Sequence, residues 1–307
     1  MPSILAHQIL DGCDVRCRFC NLWVKGLQPR EALSLAEIDA MLEEGASMGL
    51  RTYVVYGGEP LLRDDVGQIL AAAKHRGYQT IMCSTSGRLV ERAAQIGPYI
   101  DVFLCSIDGS AATHDRMRNT PGLFDRAIAG IRALQEHPCD IRLWTHLHRH
   151  NASEVTAIAE LSQQLGVSVD FFPTHEAGRG AGKLVLDDAL RRATFDAALA
   201  AKARGLPVRT PAETLRAARD DTPFRCMWPA ETVYVTPDGD VYPCERIHVD
   251  DAHLLGNVRG GLAGIIKSRA FAQHAAELES CNACRLPCVM EVSRGARPRD
   301  QAGPPGQ

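Results

Sequence analysis

Three cysteines within eight residues constrain this chain more than any other feature: Cys13, Cys17 and Cys20, in the spacing C-x3-C-x2-C. Thiols that close together can wrap one metal cluster. Three of them fill three corners of a cubane iron–sulfur cluster and leave one iron open to an outside ligand. An open iron is a place for chemistry, which a fourth cysteine would have closed. A zinc site would call for four protein ligands, or three plus water, usually with histidine among them, and no histidine lies inside the triad. A structural metal knot is the plain alternative. A disulfide pairing fails on parity, and the N-terminus has neither the basic nor the apolar region of a secretory signal.

The chain has 307 residues and eleven cysteines. That length allows one large α/β domain and a smaller second one. Beyond the triad, Cys226, Cys244, Cys281, Cys284 and Cys288 form a second group. Cys83, Cys105 and Cys139 stand singly in or beside apolar runs and read as small buried hydrophobes. A formal charge of -3 gives no basic surface for nucleic acid or anionic membrane. No apolar run is long enough to span a bilayer. The expected location is the cytoplasm, where thiols stay reduced.

Apolar runs alternate with helix-period segments along the first half. Strands are expected over 4–10, 51–56, 78–85, 101–107, 140–147 and 167–173, and helices over 34–49, 64–76, 88–96, 122–135 and 152–165. Ser34 and Glu37 have the spacing of a capping box. Six strand–helix units imply parallel strands with right-handed crossovers. From pattern alone, a partial barrel and an open doubly wound sheet both remain. In either, active groups gather at the carboxyl ends of the strands.

Gly57-Gly58-Glu59-Pro60 follows the second strand. Its glycines let backbone approach a ligand closely, and its carboxylate suits a cationic partner. Ser84-Thr85-Ser86-Gly87 ends the third strand. Ser106 and Asp108 end the fourth and share one face, expected to be the lumen. His114, Asp115 and Arg118 are expected in a surface loop. On the fifth strand Arg142, Trp144, His146 and His148 alternate with Ile141, Leu143, Thr145 and Leu147. The first set is expected to face the interior, as a polar substrate site or a satisfied network. Asp170 and Thr174 of the sixth strand would share that lumen, and the family resemblance set out below implies that Asn151 caps the next helix.

The triad, with Phe19 before its last cysteine, resembles the signature of radical S-adenosylmethionine (radical SAM) enzymes. The resemblance implies a partial (β/α)6 TIM barrel and a [4Fe-4S] cluster on Cys13, Cys17 and Cys20, with SAM at the open iron. It implies that one electron, from a reductant such as flavodoxin or ferredoxin, cleaves SAM to a 5′-deoxyadenosyl radical. Phe19 matches the aromatic position beside adenine, and Glu59, presented by Gly57 and Gly58, the glutamate that binds the SAM ammonium. Ser84 lies in the turn after strand three, and Ser106 and Asp108 in the ribose-contacting segment. Where the family often has Thr-Asn-Gly, this chain has Ser86.

In the second cysteine group, 232–236 and 240–242 flank Asp238-Gly239 as a β-hairpin, and a helix is expected near 262–278. This layout resembles the SPASM/twitch extension of radical SAM enzymes. The resemblance implies one auxiliary [4Fe-4S] cluster on Cys226, Cys244, Cys281 and Cys284. Cys288 is then a spare thiol and hydrogen-atom donor, or a replacement ligand. A four-thiolate zinc knuckle is the alternative. The expected organisation is a barrel over 1–183, a helical linker over 184–222, the auxiliary domain over 223–292 and a disordered tail over 293–307. A flexible loop is expected at 178–182.

The function implied is hydrogen abstraction from a C–H bond of a small polar substrate, such as a sugar, aminocyclitol or aminoglycoside, giving dehydrogenation or epimerisation. Arg142, Trp144 and His146 are its expected contacts. With the first strand starting within ten residues, no leader-binding domain is expected, which weighs against the alternative of a peptide maturase. A non-catalytic iron–sulfur electron-transfer protein is the reading from another class.

Overall fold

The computed structural model describes residues 1–20, 31–174, 181–244, 253–281 and 284–293. Of the loop expected at 178–182, 178–180 lie outside the described residues and 181–182 open the 3-10 turn Ala181–Lys183; the tail lies outside them from 294 onward. Six strands form in the expected places: β1 (Ile4–Gln8), β2 (Thr52–Tyr56), β3 (Gln79–Ser84), β4 (Val102–Ser106), β5 (Asp140–Leu147) and β6 (Ser168–Pro173). Each pairs in parallel with the next in chain order. Between them run α1 (Leu35–Ser47), α2 (Val66–His75), α3 (Leu89–Ile96), α4 (Ala111–Arg118), α5 (Leu123–Leu134) and α6 (Val155–Gln164).

Local signals account for several boundaries. Ser34 caps α1, and both halves of its capping box with Glu37 are present. Glu59 caps the short 3-10 turn Pro60–Leu62, its carboxylate accepting from the Leu61 amide. Asn151 stands before the 3-10 turn Ala152–Glu154, but its side chain does not cap it. Its Nδ2 instead donates to the carbonyls of Asp108 and His146, and its Oδ1 accepts from the His148 amide. It ties the end of β4 to the end of β5.

Alternation along the strands decides between the two architectures. Leu5, Tyr53, Met82, Phe103, Leu143 and Phe171 sit in one large apolar core with α1, α2, α5 and α6 residues such as Leu42, Leu70, Ile131 and Ile158. Residues of opposite parity, among them Ala6, Val54, Ile81, Leu104 and Trp144, line a cavity instead. Helices cover one face and the other is concave, as in a partial barrel; a doubly wound sheet carries helices on both faces.

The C-terminal segment adds to this sheet. β7 (Thr232–Val235) pairs in parallel with β1, in register Ile4 to Thr232. β8 (Asp240–Tyr242) returns antiparallel, and β9 (Gly256–Asn257) completes a nine-stranded order β6-β5-β4-β3-β2-β1-β7-β8-β9. The hairpin turns through Thr236–Gly239, whose ends are tied by the Gly239 amide to the Thr236 carbonyl at 3.0 Å. The remaining helices are α7 (Asp188–Ala203), α8 (Ala212–Asp220), α9 (Trp228–Glu231), α10 (Leu262–Ile266), α11 (Arg269–Glu277) and α12 (Pro287–Ser293).

Candidate active site

The concave face encloses a cavity of about 490 Å³, within the few-hundred to about 1,000 Å³ usual for small-molecule sites. Cys13, Cys17 and Cys20 stand at one end of it. Their loop is stitched in place by backbone. The Gly58 amide donates to the Leu10 carbonyl at 3.0 Å, the Glu59 amide to the Gly12 carbonyl at 2.8 Å, and the Arg18 amide to the Met117 carbonyl at 2.9 Å. A Cβ on Gly58 would lie 1.9 Å from the Gly12 carbonyl oxygen, so only glycine permits this approach. Gln8 adds a buried clamp: its Nε2 donates to Asp11 at 2.6 Å and its Oε1 accepts from the Tyr234 hydroxyl at 2.6 Å.

Burial pushes the Cys13 thiol up to about 12. It pushes Cys17 up to about 11, against the pull of Arg118. Without a metal these thiols hold their protons, and a bound cluster would displace them. Among the described residues no three His, Cys, Asp or Glu side chains converge tightly enough to grip one metal ion. A single zinc ion would draw thiolates into a tight tetrahedron, whereas a cubane spreads its ligands over its corners. Cys13, Cys17 and Cys20 all line the cavity, as a cluster with one iron open to a ligand there would require.

Phe19, Gly57, Gly58, Ser84 and Ser106 line the cavity. Glu59 and Asp108 are both fully buried. The Glu59 carboxylate accepts from the Ser84 hydroxyl at 2.7 Å, the Thr85 amide at 2.8 Å, the Thr85 hydroxyl at 2.6 Å and the Leu61 amide at 3.0 Å. Four donors match the roughly four acceptor positions of a carboxylate. Burial raises its pKa, and those hydrogen bonds pull it back. Glu59 thus locks the β2 and β3 ends together behind Gly57 and Gly58. Ser86 occupies the left-handed region at φ 67°, where asparagine and glycine sit more easily than serine.

Asp108 faces a residue that sequence reasoning put on the surface. Segment 111–118 is a helix, not a loop, and His114 and Arg118 are buried in it. Arg118 Nε donates to Asp108 Oδ2 at 2.7 Å, and Nη1 lies 3.8 Å from Cys17 Sγ. Its guanidinium carbon stands 5.1 Å from the Phe19 ring centroid. Its Nη2 is buried with no partner among the described residues, although Arg118 lines the cavity. Burial would raise the Asp108 pKa, but Arg118, His146 and His114 outweigh it and hold the carboxyl below its ordinary range. A buried guanidinium nitrogen left without a partner beside a cluster ligand is a fit for an acceptor group of a bound cofactor. Asp115, also expected on the surface, accepts from the Gly122 and Phe124 amides and so fixes the start of α5.

Arg142, Trp144 and His146 line the cavity, and Ile141, Leu143 and Leu147 pack on the helices. Burial lowers the His146 pKa to about 4, with Asp108 pulling upward, so its imidazole is neutral near pH 7. Its ring lies tilted against Phe19, with centroids 5.1 Å apart. His148 is buried and accepts from the His150 amide. Asp170 is fully buried and Thr174 lines the cavity. Cys105 and Cys139 pack in or against the main core, whereas Cys83, expected there too, lines the cavity.

The five C-terminal cysteines gather around one separate apolar cluster with Ile4, Trp228, Val289 and Val292. The Cys226 amide donates to the Glu279 carbonyl at 2.9 Å, and the Met227 amide to the Ser293 hydroxyl at 3.0 Å. Of these five, Cys288 also lines the large cavity; it packs in a cluster with Ile4 at the start of β1, whereas the triad loop follows the end of that strand.

Comparison with known proteins matches this geometry. The model of the radical SAM superfamily matches residues 8–162, and that of the SPASM iron–sulfur cluster-binding domain matches residues 226–288. The AdoMet-dependent heme synthase of Methanosarcina barkeri is 32% identical over 186 residues, covering 58% of this chain and 52% of the relative. A probable GTP 3',8-cyclase of Metallosphaera sedula is 28% identical over 174 residues, 55% of this chain and 54% of the relative. The chain thus spans about half the length of these curated relatives. Streptococcus suis SuiB, solved with S-adenosylmethionine, superposes with a TM-score of 0.73 at 16% identity, over 91% of this chain and 68% of SuiB. At that identity the likeness is one of fold.

Proposed function

This chain belongs to the radical SAM superfamily and carries a SPASM iron–sulfur cluster-binding domain, and on that premise we propose that it takes hydrogen from a C–H bond of a small polar substrate held in the large cavity, in dehydrogenation or epimerisation. When bound, the [4Fe-4S] cluster and SAM supply a 5′-deoxyadenosyl radical, the species that abstracts the hydrogen. Cys13, Cys17 and Cys20 would hold the cluster. Phe19, Ser84, Ser106 and the Gly57-Gly58 backbone form the wall against which SAM would lie. Glu59 and Asp108 act from behind that wall, the first by fixing the β2 and β3 ends, the second by aiming Arg118. Arg142, Trp144 and His146 stand on the substrate side.

The observation that carries this reading is convergence. Residues from 13 to 288 meet at one cavity, with the open-cluster triad at one end and Cys288 at the other. A thiol there is placed to return a hydrogen atom to a substrate radical. Cys226, Cys244, Cys281 and Cys284 are the ligand set for one auxiliary cluster, which could instead accept the second electron of an oxidation. Apolar side chains such as Val54, Ile81 and Leu104 shield the centre of the cavity from water, as a carbon radical requires. They suit a fully hydroxylated sugar poorly. Neither relative named above is described as acting on a free sugar or aminocyclitol.

An external reductant of the flavodoxin or ferredoxin type would feed the cluster in a reducing compartment, for which the cytoplasm is the natural choice. Among the described residues no helix is long and apolar enough to cross a membrane. The test is anaerobic incubation of the reconstituted enzyme with SAM and dithionite. 5′-Deoxyadenosine should form in the wild type and vanish in Cys17→Ala. A wild type that forms none while its cluster is intact contradicts the reading.

A further inference from the structure

One helix end braces the loop that carries the triad. The last turn of α4 reaches it three times. The Arg18 amide donates to the Met117 carbonyl at 2.9 Å, Arg18 Nε donates to the Arg116 carbonyl at 2.9 Å, and Arg118 Nη1 donates to Cys17 Sγ at 3.8 Å. The first two contacts end on backbone carbonyls, as any loop brace would. The third ends on a sulfur that would bind iron, and its donor carries a permanent charge.

Arg118 is fixed at both ends of its fork. Nε, on the stem side, donates to Asp108 Oδ2 at 2.7 Å, and the guanidinium carbon lies 5.1 Å from the Phe19 ring centroid. Asp108 is fixed in turn: its Oδ1 accepts from the His146 amide at 3.2 Å, and its amide donates to His114 Nδ1 at 3.2 Å. Arg118 and Asp108 are both buried, which costs desolvation that a surface brace would not incur. The carboxylate sits at the stem of the fork and the sulfur at its tip. The pair is neutral as a whole, and its positive end is turned to Cys17. In a dry site an oriented charge at that range is weakly screened. A cluster that gains an electron gains negative charge, part of it on the sulfurs, so a donor to a ligating sulfur favours the reduced form over the oxidised one.

We propose that Arg118 sets the reduction potential of a cluster held by the triad, raising it through the Nη1 contact to Cys17, and that Asp108 aims the guanidinium and limits the rise. This rests on the triad holding the cluster, as proposed above. One electron passes from the external reductant to the cluster, and no proton moves with it, because a guanidinium keeps its protons throughout. Arg118 therefore acts on the electron-uptake step that precedes SAM cleavage.

The test is a titration of reconstituted holoenzyme against potential, read by electron paramagnetic resonance, with the triad cluster's signal identified as the one missing from Cys17→Ala. SAM is omitted, so that no ligand adds its own charge at Arg118 Nη2, which is buried without a partner among the described residues. In Arg118→Gln the triad cluster should be about tenfold harder to reduce, a midpoint lower by about 59 mV for one electron. In Asp108→Asn, which keeps an acceptor for Nε and removes the opposing charge, the midpoint should lie above that of the wild type. Asp108→Asn combined with Arg118→Gln removes both charges, avoids the unpaired buried carboxylate of the single Arg118 variant, and should still titrate below the wild type. The C-terminal cysteines, clustered with Ile4 at the other end of β1, provide the internal control: the auxiliary midpoint should stay the same in every variant. Equal triad midpoints in the wild type and the double variant, a lowered midpoint in Asp108→Asn, or a matching shift of the auxiliary cluster overturns the assignment. Formation of 5′-deoxyadenosine by the wild type is scored separately. If it forms while the midpoints do not move, the role of Arg118 fails and the cluster stands; a wild type with no signal that Cys17→Ala removes contradicts both.

Discussion

The two cysteine regions use the same side chain in opposite settings. The N-terminal triad has three thiols on a loop held by backbone bonds to Gly58, Glu59 and Met117, and all three open onto the cavity. The C-terminal group has five thiols packed around Trp228, Val289 and Val292, and one of them, Cys288, reaches the cavity. Thiol number and surroundings separate a site that needs an outside ligand from one that can close on itself. Each has a buried arginine, differently placed: Arg118 stands beside the Cys17 sulfur with Asp108 behind it, whereas Arg285 donates to the Cys284 carbonyl and to Asp221.

Substitutions that treat the two regions alike should give opposite results, and this is the largest expected contrast. Cys17→Ala should abolish 5′-deoxyadenosine formation and remove one cluster's iron, leaving the other's spectrum. Cys226→Ala should remove the other cluster's iron and leave SAM cleavage. Loss of cleavage in both variants, with the triad cluster intact in Cys226→Ala, would erase the contrast. Next in size is Cys288→Ala, for which product should fall about a hundredfold while 5′-deoxyadenosine continues to form, a loss of about 2.7 kcal/mol in transition-state stabilisation. Chromatography of both products from one reaction reads that split.

Arg118→Gln should destabilise the fold by about 3–5 kcal/mol in urea unfolding, because it leaves Asp108 as an unpaired buried charge. Asp108→Asn combined with Arg118→Gln should recover part of that loss, which separates pairing from packing. The smallest effect belongs to Glu291. Its folded pKa, raised by burial from 4.5 to about 7, exceeds the unfolded value. Between those values the folded chain holds a proton that the unfolded chain releases, so stability from this group is full below about pH 4.5 and is lost as pH rises to about 7. Glu291→Gln should match the wild type at about pH 4 and exceed it at about pH 8 by about 1–3 kcal/mol. Equal pH profiles for the two proteins would remove Glu291 from the account.

Much of this could be read from the sequence because the signals are local. The Ser34–Glu37 capping box, the Asp-Gly turn at Gly239 and the alternation along 140–147 each depend on neighbours a few residues away. What the sequence did not show depends on residues from other elements. Arg118 is buried because Asp108, ten residues earlier and at the end of a different element, neutralises it. Glu59 turns inward because Ser84 and Thr85, one strand later, supply its donors. Parallel pairing of β7 with β1 joins residues more than two hundred positions apart, sealed by the Tyr234 to Gln8 hydrogen bond. Periodicity carries no trace of such contacts. The cue that was available for Arg118 was its cluster with His114 and Asp115 just after the Ser106-to-Gly109 strand end, too polar for a surface-free helix unless its charges are paired.

The central claim is that the triad holds a cluster with one iron open to SAM. Electron–nuclear double resonance on the reduced enzyme, with SAM carrying a nitrogen-15 amino group, tests it directly. The account predicts a nitrogen-15 coupling to the reduced cluster in the wild type and in Cys226→Ala, and its absence in Cys17→Ala. No coupling in the wild type, or coupling that persists without Cys17, would contradict it.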